Sequence, residues 1–224
     1  MALAYISHRD CLLHEMGQHH PERPSRLSAI SDRLIASGLD MALHHYDAPL
    51  VEREQLEAVH DAGFVEQIHA AVPADGLAWL DGDTAMNKHS LDAALRAAGA
   101  VVCGVDLVMQ GRAKNVFCGV RPPGHHAEHD KAMGFCLFNN VVVGAYHALN
   151  RFGLERVAIV DFDVHHGNGT EDMVAGDQRV LFCSTFQHPF YPGTGTDCKA
   201  LNIVNTPLAA GAGSAIFREA VTQY

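Results

Sequence analysis

Short apolar runs rich in β-branched residues alternate along this chain with longer stretches at helical spacing, and few architectures accommodate that rhythm. Ala2–Ile6, Val116–Cys118, Val157–Val164 and Val180–Ser184 predict strands, with Leu201–Val204 a further one. Between them lies Pro24–Ala36, with Leu27, Ile30, Leu34 and Ile35 at helical spacing. Arg53–His60, Phe64–Val72, Ser90–Met109 and Asn139–Asn150 continue the predicted helices. Strands that are apolar on both sides need cover on both faces. The expected fold is therefore α/β, a three-layer parallel sheet with helices on both faces. No repeat or composition shift divides residues 1–224, so a single domain is expected.

The Gly/Pro-rich stretches 119–134 and 186–197 exceed the usual connection of about 4–6 residues. In such sheets, long loops at strand ends are where chemistry gathers. His14–Pro24, rich in His, Pro and Arg, predicts a surface loop. Sixteen Lys and Arg against 26 Asp and Glu give a net charge of −10, which excludes a basic face for nucleic acid and suits a cationic substrate. The six cysteines form no C-x-x-C, and the N-terminus lacks a basic stretch followed by an apolar one, so a cytoplasmic location is expected. Ala93–Met109, the most apolar stretch, is interrupted by Arg96, Gly99, Gly104 and Asp106 and predicts no membrane span.

Sixteen histidines are the compositional anomaly, because imidazole is both the commonest metal ligand and the usual acid or base near neutrality. In Val157-Ala-Ile-Val-Asp161-Phe-Asp163-Val-His165 an apolar strand turns polar. Strand alternation would put Asp161, Asp163 and His165 on one face, with Phe162 and Val164 packing the other way. Carboxylate and imidazole on one face make half of a Zn²⁺ site; alternatively, these groups merely terminate a buried strand. Gly167-Asn-Gly169 then reads as a turn before a helix capped by Thr170, with Glu171 and Asp172 in its first turn. In Arg121-Pro-Pro-Gly-His125-His126 the irregular backbone lets consecutive imidazoles face one cleft. Beside a metal, such a pair deprotonates water and later protonates a leaving amine. A solvated His-rich loop is the alternative, above all for His129 and His166. Cys136 offers a rival thiol nucleophile without the local signature of a cysteine enzyme, and Gly167-Asn-Gly-Thr170 lacks the Lys of a phosphate loop.

Together, Arg121-Pro-Pro-Gly-His-His-Ala, Gly134-Phe-Cys-Leu-Phe-Asn-Asn, Asp161-Phe-Asp-Val-His-His-Gly-Asn-Gly-Thr and Tyr191-Pro-Gly-Thr-Gly closely resemble the histone deacetylase superfamily. The likeness is to its class II branch with the bacterial histone deacetylase-like amidohydrolases. His20-Pro-Glu-Arg-Pro-Ser-Arg-Leu27 resembles that branch's N-terminal signature, and the resemblance runs from about Tyr5 to the end of the chain. Acetylpolyamine amidohydrolases and, more distantly, arginases are related in fold and chemistry. The resemblance implies zinc-dependent removal of acetyl groups from acetyl-lysine peptides or proteins, or from related acetylated amines. It implies that Asp163 and His165 ligate Zn²⁺ and that His125 and His126 flank the metal-bound water, His126 as base and His125 as donor to the leaving amine. Asp161 would orient His125, and Asn168 would partner His126 where class I relatives have Asp, leaving His126 less basic.

Phe135 and Tyr191 would wall the tunnel for the acetyl-lysine stem, with the Gly134 carbonyl receiving the substrate amide. The resemblance further implies an acidic rim residue in Leu80-Asp81-Gly-Asp83-Thr, Asp81 by preference, with Asp83 as the alternative. A structural K⁺ would sit on backbone oxygens of Asp161, Asp163 and His165 with Ser184 and Thr185. The family's third ligand, in a Gly-Phe-Asp segment, and its transition-state Tyr, in a Gly-Gly-Tyr segment, have no counterpart here. The chain is thus expected to be a C-terminally truncated deacetylase-like domain, poorly soluble and inactive alone. In agreement, the helical face Ile216, Phe217, Ala220, Val221 and Tyr224, opened by a Ser214 cap, stops in mid-pattern. Two alternatives stay open, an acetylpolyamine or small-amide amidohydrolase and a catalytically incomplete fragment that binds partners. One metal rather than two is expected, because Gly167 stands where an arginase-like centre wants a further carboxylate. Fe²⁺ and Co²⁺ also suit such ligands, and the oligomeric state is open.

Overall fold

The structure, a computed structural model, describes residues 3–222. Strand β1 (Leu3–Ser7), helix α1 (Ser25–Ala36) and strand β2 (Leu43–Asp47) lead into the short helices α2 (Arg53–Glu57) and α3 (Ala62–Ala70). A two-residue hairpin, β3 (Ala78–Trp79) and β4 (Ala85–Met86), precedes the long helix α4 (Ser90–Met109). Then come β5 (Val116–Cys118), α5 (Asn140–Phe152), β6 (Val157–Asp161), α6 (Asn168–Val174), β7 (Val180–Gln187), β8 (Ile203–Leu208) and α7 (Ser214–Thr222).

The strands form two three-stranded sheets, ordered β2-β1-β5 and β6-β7-β8, in which every pairing is parallel. Parallel neighbours need a crossover, and the helices between the strands supply it. Helix α4 packs on β1 and β5, α5 on β6, and both α6 and α7 on β7. The apolar stripe of α5, Val142, Ala145 and Leu149, closes on Ile159, Val180 and Phe182, while Ala100 and Leu107 of α4 close on Ala4 and Ile6 of β1. Among the described residues no helix is long and apolar enough to cross a membrane.

Several boundaries differ from the sequence expectation. Strand β6 stops at Asp161 rather than Val164, because carboxylates take the amides that a ladder would have used. Asp161 Oδ1 accepts the Asp163 N–H at 3.1 Å, and Asp163 Oδ1 accepts the His165 N–H at 2.8 Å. Beyond the strand end Phe162 and Val164 do not pack but stand 75% and 50% exposed. Strand β8 starts at Ile203 rather than Leu201, whereas β7 runs on to Gln187. Thr170 does not cap α6: it is buried inside a helix that begins at Asn168 after Gly167. Ser214 is likewise the first helical residue rather than a cap. The expected positions Ala2 and Tyr224 lie outside the described residues.

The predicted surface loop 14–24 is instead anchored in the interior, with His14, Met16 and Glu22 all buried. Its anchor is Arg121, which has no exposed surface. Arg121 Nε donates to Glu22 Oε1 at 2.6 Å, its Nη2 donates to Glu22 Oε2, and Nη1 donates to the carbonyls of Cys11 at 2.7 Å and His14 at 2.8 Å. A buried guanidinium requires such full pairing. The forked pair ties the 14–24 segment to the start of the long loop after β5, and thereby builds one wall of the cleft described next.

Candidate functional site

The loop after β5 and the segment after β6 leave their sheets at the carboxyl ends of the strands and meet in a cleft of about 410 Å³. His125, His126, Gly134 and Phe135 come from the first, Asp163 and His165 from the second, Tyr191 from the loop after β7, and Glu22, Arg26 and Asp83 from the opposite wall. The rings of His125 and His126 lie side by side, centroids 4.0 Å apart. Each is fixed through Nδ1: His125 donates to Asp161 Oδ2 at 2.8 Å, while His126 Nδ1 is 2.8 Å from Asn168 Oδ1.

Those partners give the two imidazoles opposite proton affinities. Burial works against the charged form of His125, but the Asp161 hydrogen bond and charge, helped by Asp163, outweigh it and leave the pKa raised. For His126, burial and the neighbouring His125 charge dominate, the Asn168 bond opposes them only in part, and the pKa falls to about 4. Asp161 in turn is held low, since its bond to His125 and that residue's charge overcome burial.

Two glycines make this approach possible. A Cβ on Gly134, where φ is +55°, would run into the His126 ring, and one on Gly167 would run into Asp161 Oδ2. Phe135 follows with φ 72°, a left-handed conformation that a bulky residue adopts only under constraint. Its N–H donates to Thr84 Oγ1 at 2.9 Å and its ring meets His20 edge-on at 4.6 Å. Tyr191 stands edge-on to His126 at 5.0 Å, and burial together with the Asp83 and Asp81 charges raises its pKa, so its phenol stays protonated.

Asp163 Oδ1 and His165 Nδ1 are 2.9 Å apart, with side chains 49% and 31% exposed. The two atoms share a hydrogen bond in this structure, and their donor types, a carboxylate oxygen and an imidazole nitrogen, are ones that a tetrahedral zinc site uses. Among the described residues no group of three or more His, Cys, Asp or Glu side chains is placed to hold an ion, so the pair stands as two donors. Behind it the β6–β7 register sets Asp161 opposite Ser184, with Thr185 next in line. Ser184 is buried, its Oγ 3.2 Å from His166 Nδ1.

Of the two rim candidates, Asp83 lines the cleft. Asp81 is not part of that lining, and its Oδ1 accepts the N–H groups of Asp83, at 3.0 Å, and Thr84, at 2.7 Å. The solvated-loop alternative holds for His129, which is exposed and paired with Asp172 at 2.8 Å. It fails for His166, which is 1% exposed with Nε2 3.2 Å from Glu171 Oε2. Cys136 is no nucleophile: full burial pushes its thiol far up. A larger groove of about 650 Å³ between α2, α4 and α5 is lined by none of these residues, and its imidazole, His147, is bonded to Asp106 at 2.8 Å.

Sequence reasoning missed Phe190, stacked on His165 at 4.9 Å and 11°, and the Glu22–Arg121 fork. Both partners of that fork stand in recognisable motifs, and an Arg in so apolar a Pro-Pro-Gly setting was the available signal.

Comparison with known proteins follows the same outline. The histone deacetylase domain model matches residues 20–224. The chain is 41% identical to an uncharacterised protein of Synechocystis over 97% of its own length and 73% of that protein. It is 34% identical to the histone deacetylase-like amidohydrolase of Pseudomonas aeruginosa over 94% and 62%. The crystal structure of the HDA15 HD domain superposes with a TM-score of 0.87 at 36% identity, covering 94% of this chain and 63% of that one. The chain therefore spans about three fifths to three quarters of these proteins, and 15% of a type-2 histone deacetylase of Dictyostelium discoideum that it also matches.

Proposed function

This chain belongs to the histone deacetylase family, and on that premise we propose that it works as a zinc-dependent amidohydrolase on acetylated lysine side chains of peptides or proteins. The observation that carries the proposal is the meeting, in one cleft, of the Asp163–His165 donor pair with two imidazoles that are both anchored through Nδ1. Asp163 and His165 would hold the ion, which when bound polarises an acetamide carbonyl and lowers the pKa of water to about 7. His126, uncharged and with Nε2 turned to the cleft, takes a proton from the attacking water. His125, whose protonated form the Asp161 carboxylate favours, passes a proton from Nε2 to the departing amine nitrogen. Phe135 and Tyr191 flank the extended lysine stem, the Gly134 carbonyl accepts its amide N–H, and the Asp81–Asp83 turn presents a carboxylate to the substrate backbone. Asp161, Asp163 and His165 carbonyls with Ser184 and Thr185 would hold a structural K⁺.

A third metal ligand and a phenol donor for the oxyanion would complete the centre, and neither a Gly-Phe-Asp nor a Gly-Gly-Tyr segment occurs in the chain. The test is acetate release from acetyl-lysine peptides, acetylputrescine and acetylspermidine, by residues 1–224 and by the protein extended to the length of its relatives. The expected result is chelator-sensitive release from the peptides by the extended protein and none by residues 1–224. Release from polyamines alone would move the substrate class, chelator-insensitive release would remove the metal, and no release from any substrate would favour a partner-binding role.

A further inference from the structure

Behind His126 the hydrogen bonding does not end at Asn168. Asn168 Nδ2 donates to Glu128 Oε1 at 2.7 Å and approaches Met133 Sδ at 3.4 Å. We infer that Glu128 is a positioning residue that fixes the proton of His126 on Nδ1 by fixing which way the Asn168 amide points.

The argument is one of donor and acceptor parity. A carboxylate only accepts hydrogen bonds, and a thioether sulfur at most accepts weakly. The amide edge facing Glu128 and Met133 is therefore NH₂, and the edge facing His126 is the carbonyl oxygen. That oxygen, 2.8 Å from His126 Nδ1, demands a donor, so Nδ1 carries the hydrogen. The lone pair of the neutral ring is then left on Nε2, the nitrogen available to the cleft. Without Glu128 the amide can turn over and offer its NH₂ to Nδ1, which would move the hydrogen to Nε2 and block the base. His125 has no such ambiguity, since its partner Asp161 is itself a carboxylate. Glu128 sits two residues after His126, and its N–H donates to the Lys131 carbonyl at 2.9 Å, so the loop that carries the imidazole also carries the group that orients its partner.

This proposal rests on the base function assigned to His126 above, but its test does not require turnover. Imidazole ¹⁵N shifts of the protein extended to the length of its relatives report which ring nitrogen bears hydrogen. The wild type is expected to show His126 as the single Nδ1–H form. Glu128→Gln, which can still turn an acceptor oxygen to Asn168, is expected to keep that form. Glu128→Leu is expected to give a mixture of both forms, and Glu128→Lys, which only donates, to favour the Nε2–H form by turning the amide over. In the extended enzyme Glu128→Leu is expected to lower kcat about tenfold with KM unchanged, and Glu128→Gln to restore it. An unchanged Nδ1–H form in folded Glu128→Leu or Glu128→Lys overturns the inference. Where the Lys variant fails to fold, the Gln and Leu pair decides. Loss of the Nδ1–H form in Glu128→Gln as well would also overturn it, because charge rather than parity would then be in control. A normal ¹⁵N pattern with no deacetylation in any variant would count against the proposed function and leave this assignment standing.

Discussion

His125 and His126 are neighbours in sequence, lie in one loop and face one cleft, yet what stands behind them differs by one heteroatom. Asp161 gives His125 a full charge, and its pKa rises despite burial; Asn168 gives His126 a dipole, and burial together with the adjacent His125 takes it down to about 4. Two identical side chains a ring apart thereby take opposite proton affinities, as the proposed donor and acceptor roles require. The lesson is that the acid and base duties of a pair are written in the second atom out, where a carboxylate and an amide of nearly the same shape have opposite effects.

The comparison makes a general claim, that a buried imidazole hydrogen-bonded to no carboxylate stays uncharged, and two residues away from the chemistry test it with the largest expected effect. His60 Nδ1 lies 3.1 Å from the Glu128 carbonyl and its Nε2 accepts the Asn139 N–H at 3.0 Å, an arrangement that only the neutral ring satisfies. Burial lowers it to about 4, as it does His14, whose Nδ1 is 2.7 Å from Ser90 Oγ and for which burial outweighs the Glu22 carboxylate, 3.6 Å from Nε2 and not hydrogen-bonded to it. With a folded pKa below the ordinary 6.5, each binds fewer protons folded than unfolded between pH 6.5 and 4. Stability is therefore full above 6.5, falls through that window and levels off below 4. His60 alone should contribute a fall of about 3 kcal/mol at about 1.4 kcal/mol per pK unit. Urea midpoints measured across the window would show it, and His60→Gln should flatten the slope; an unchanged slope in that variant would break the rule.

A smaller effect sharpens the contrast itself. Asn168→Asp makes the two walls alike but sets a second carboxylate against Glu128, whose Oε1 now accepts from Asn168 Nδ2 at 2.7 Å. A loss of about 1–2 kcal/mol is expected from the broken charge-assisted bond and the repulsion, largely recovered in Asn168→Asp combined with Glu128→Gln. Denaturation midpoints of the wild type and these two variants measure this, and an Asn168→Asp variant as stable as wild type would mean that Glu128 and Asn168 are not coupled.

How legible this was varied with the distance over which each feature is decided. Helix α4 is foreseen from Ser90 to Met109 because twenty residues of helical spacing set it locally. Strand β2 is not, since Leu43-His-His-Tyr-Asp47 carries no apolar alternation and becomes a strand only by parallel pairing with β1. At the site the residue types of His125, His126, Asp163 and His165 were readable, as was their gathering at strand ends. Strand alternation predicted the right company for Asp161, Asp163 and His165 for an incomplete reason, because the strand ends at Asp161 and carboxylate-to-amide turns place the rest. The burial of His166, the turn-bracing use of Asp81 and the link from Glu128 to Asn168 depend on side chains brought together from separate segments, and no local pattern announces them.

The central claim is that the cleft divides its labour, with Asp163 and His165 as metal donors and His126 as a base that touches no metal. Zn²⁺ titration of the protein extended to the length of its relatives, and of three variants of it, tests this most directly. The account predicts that Asp163→Ala and His165→Ala each abolish zinc retention while His126→Ala keeps it. Loss of zinc in His126→Ala alongside normal retention in Asp163→Ala would contradict it.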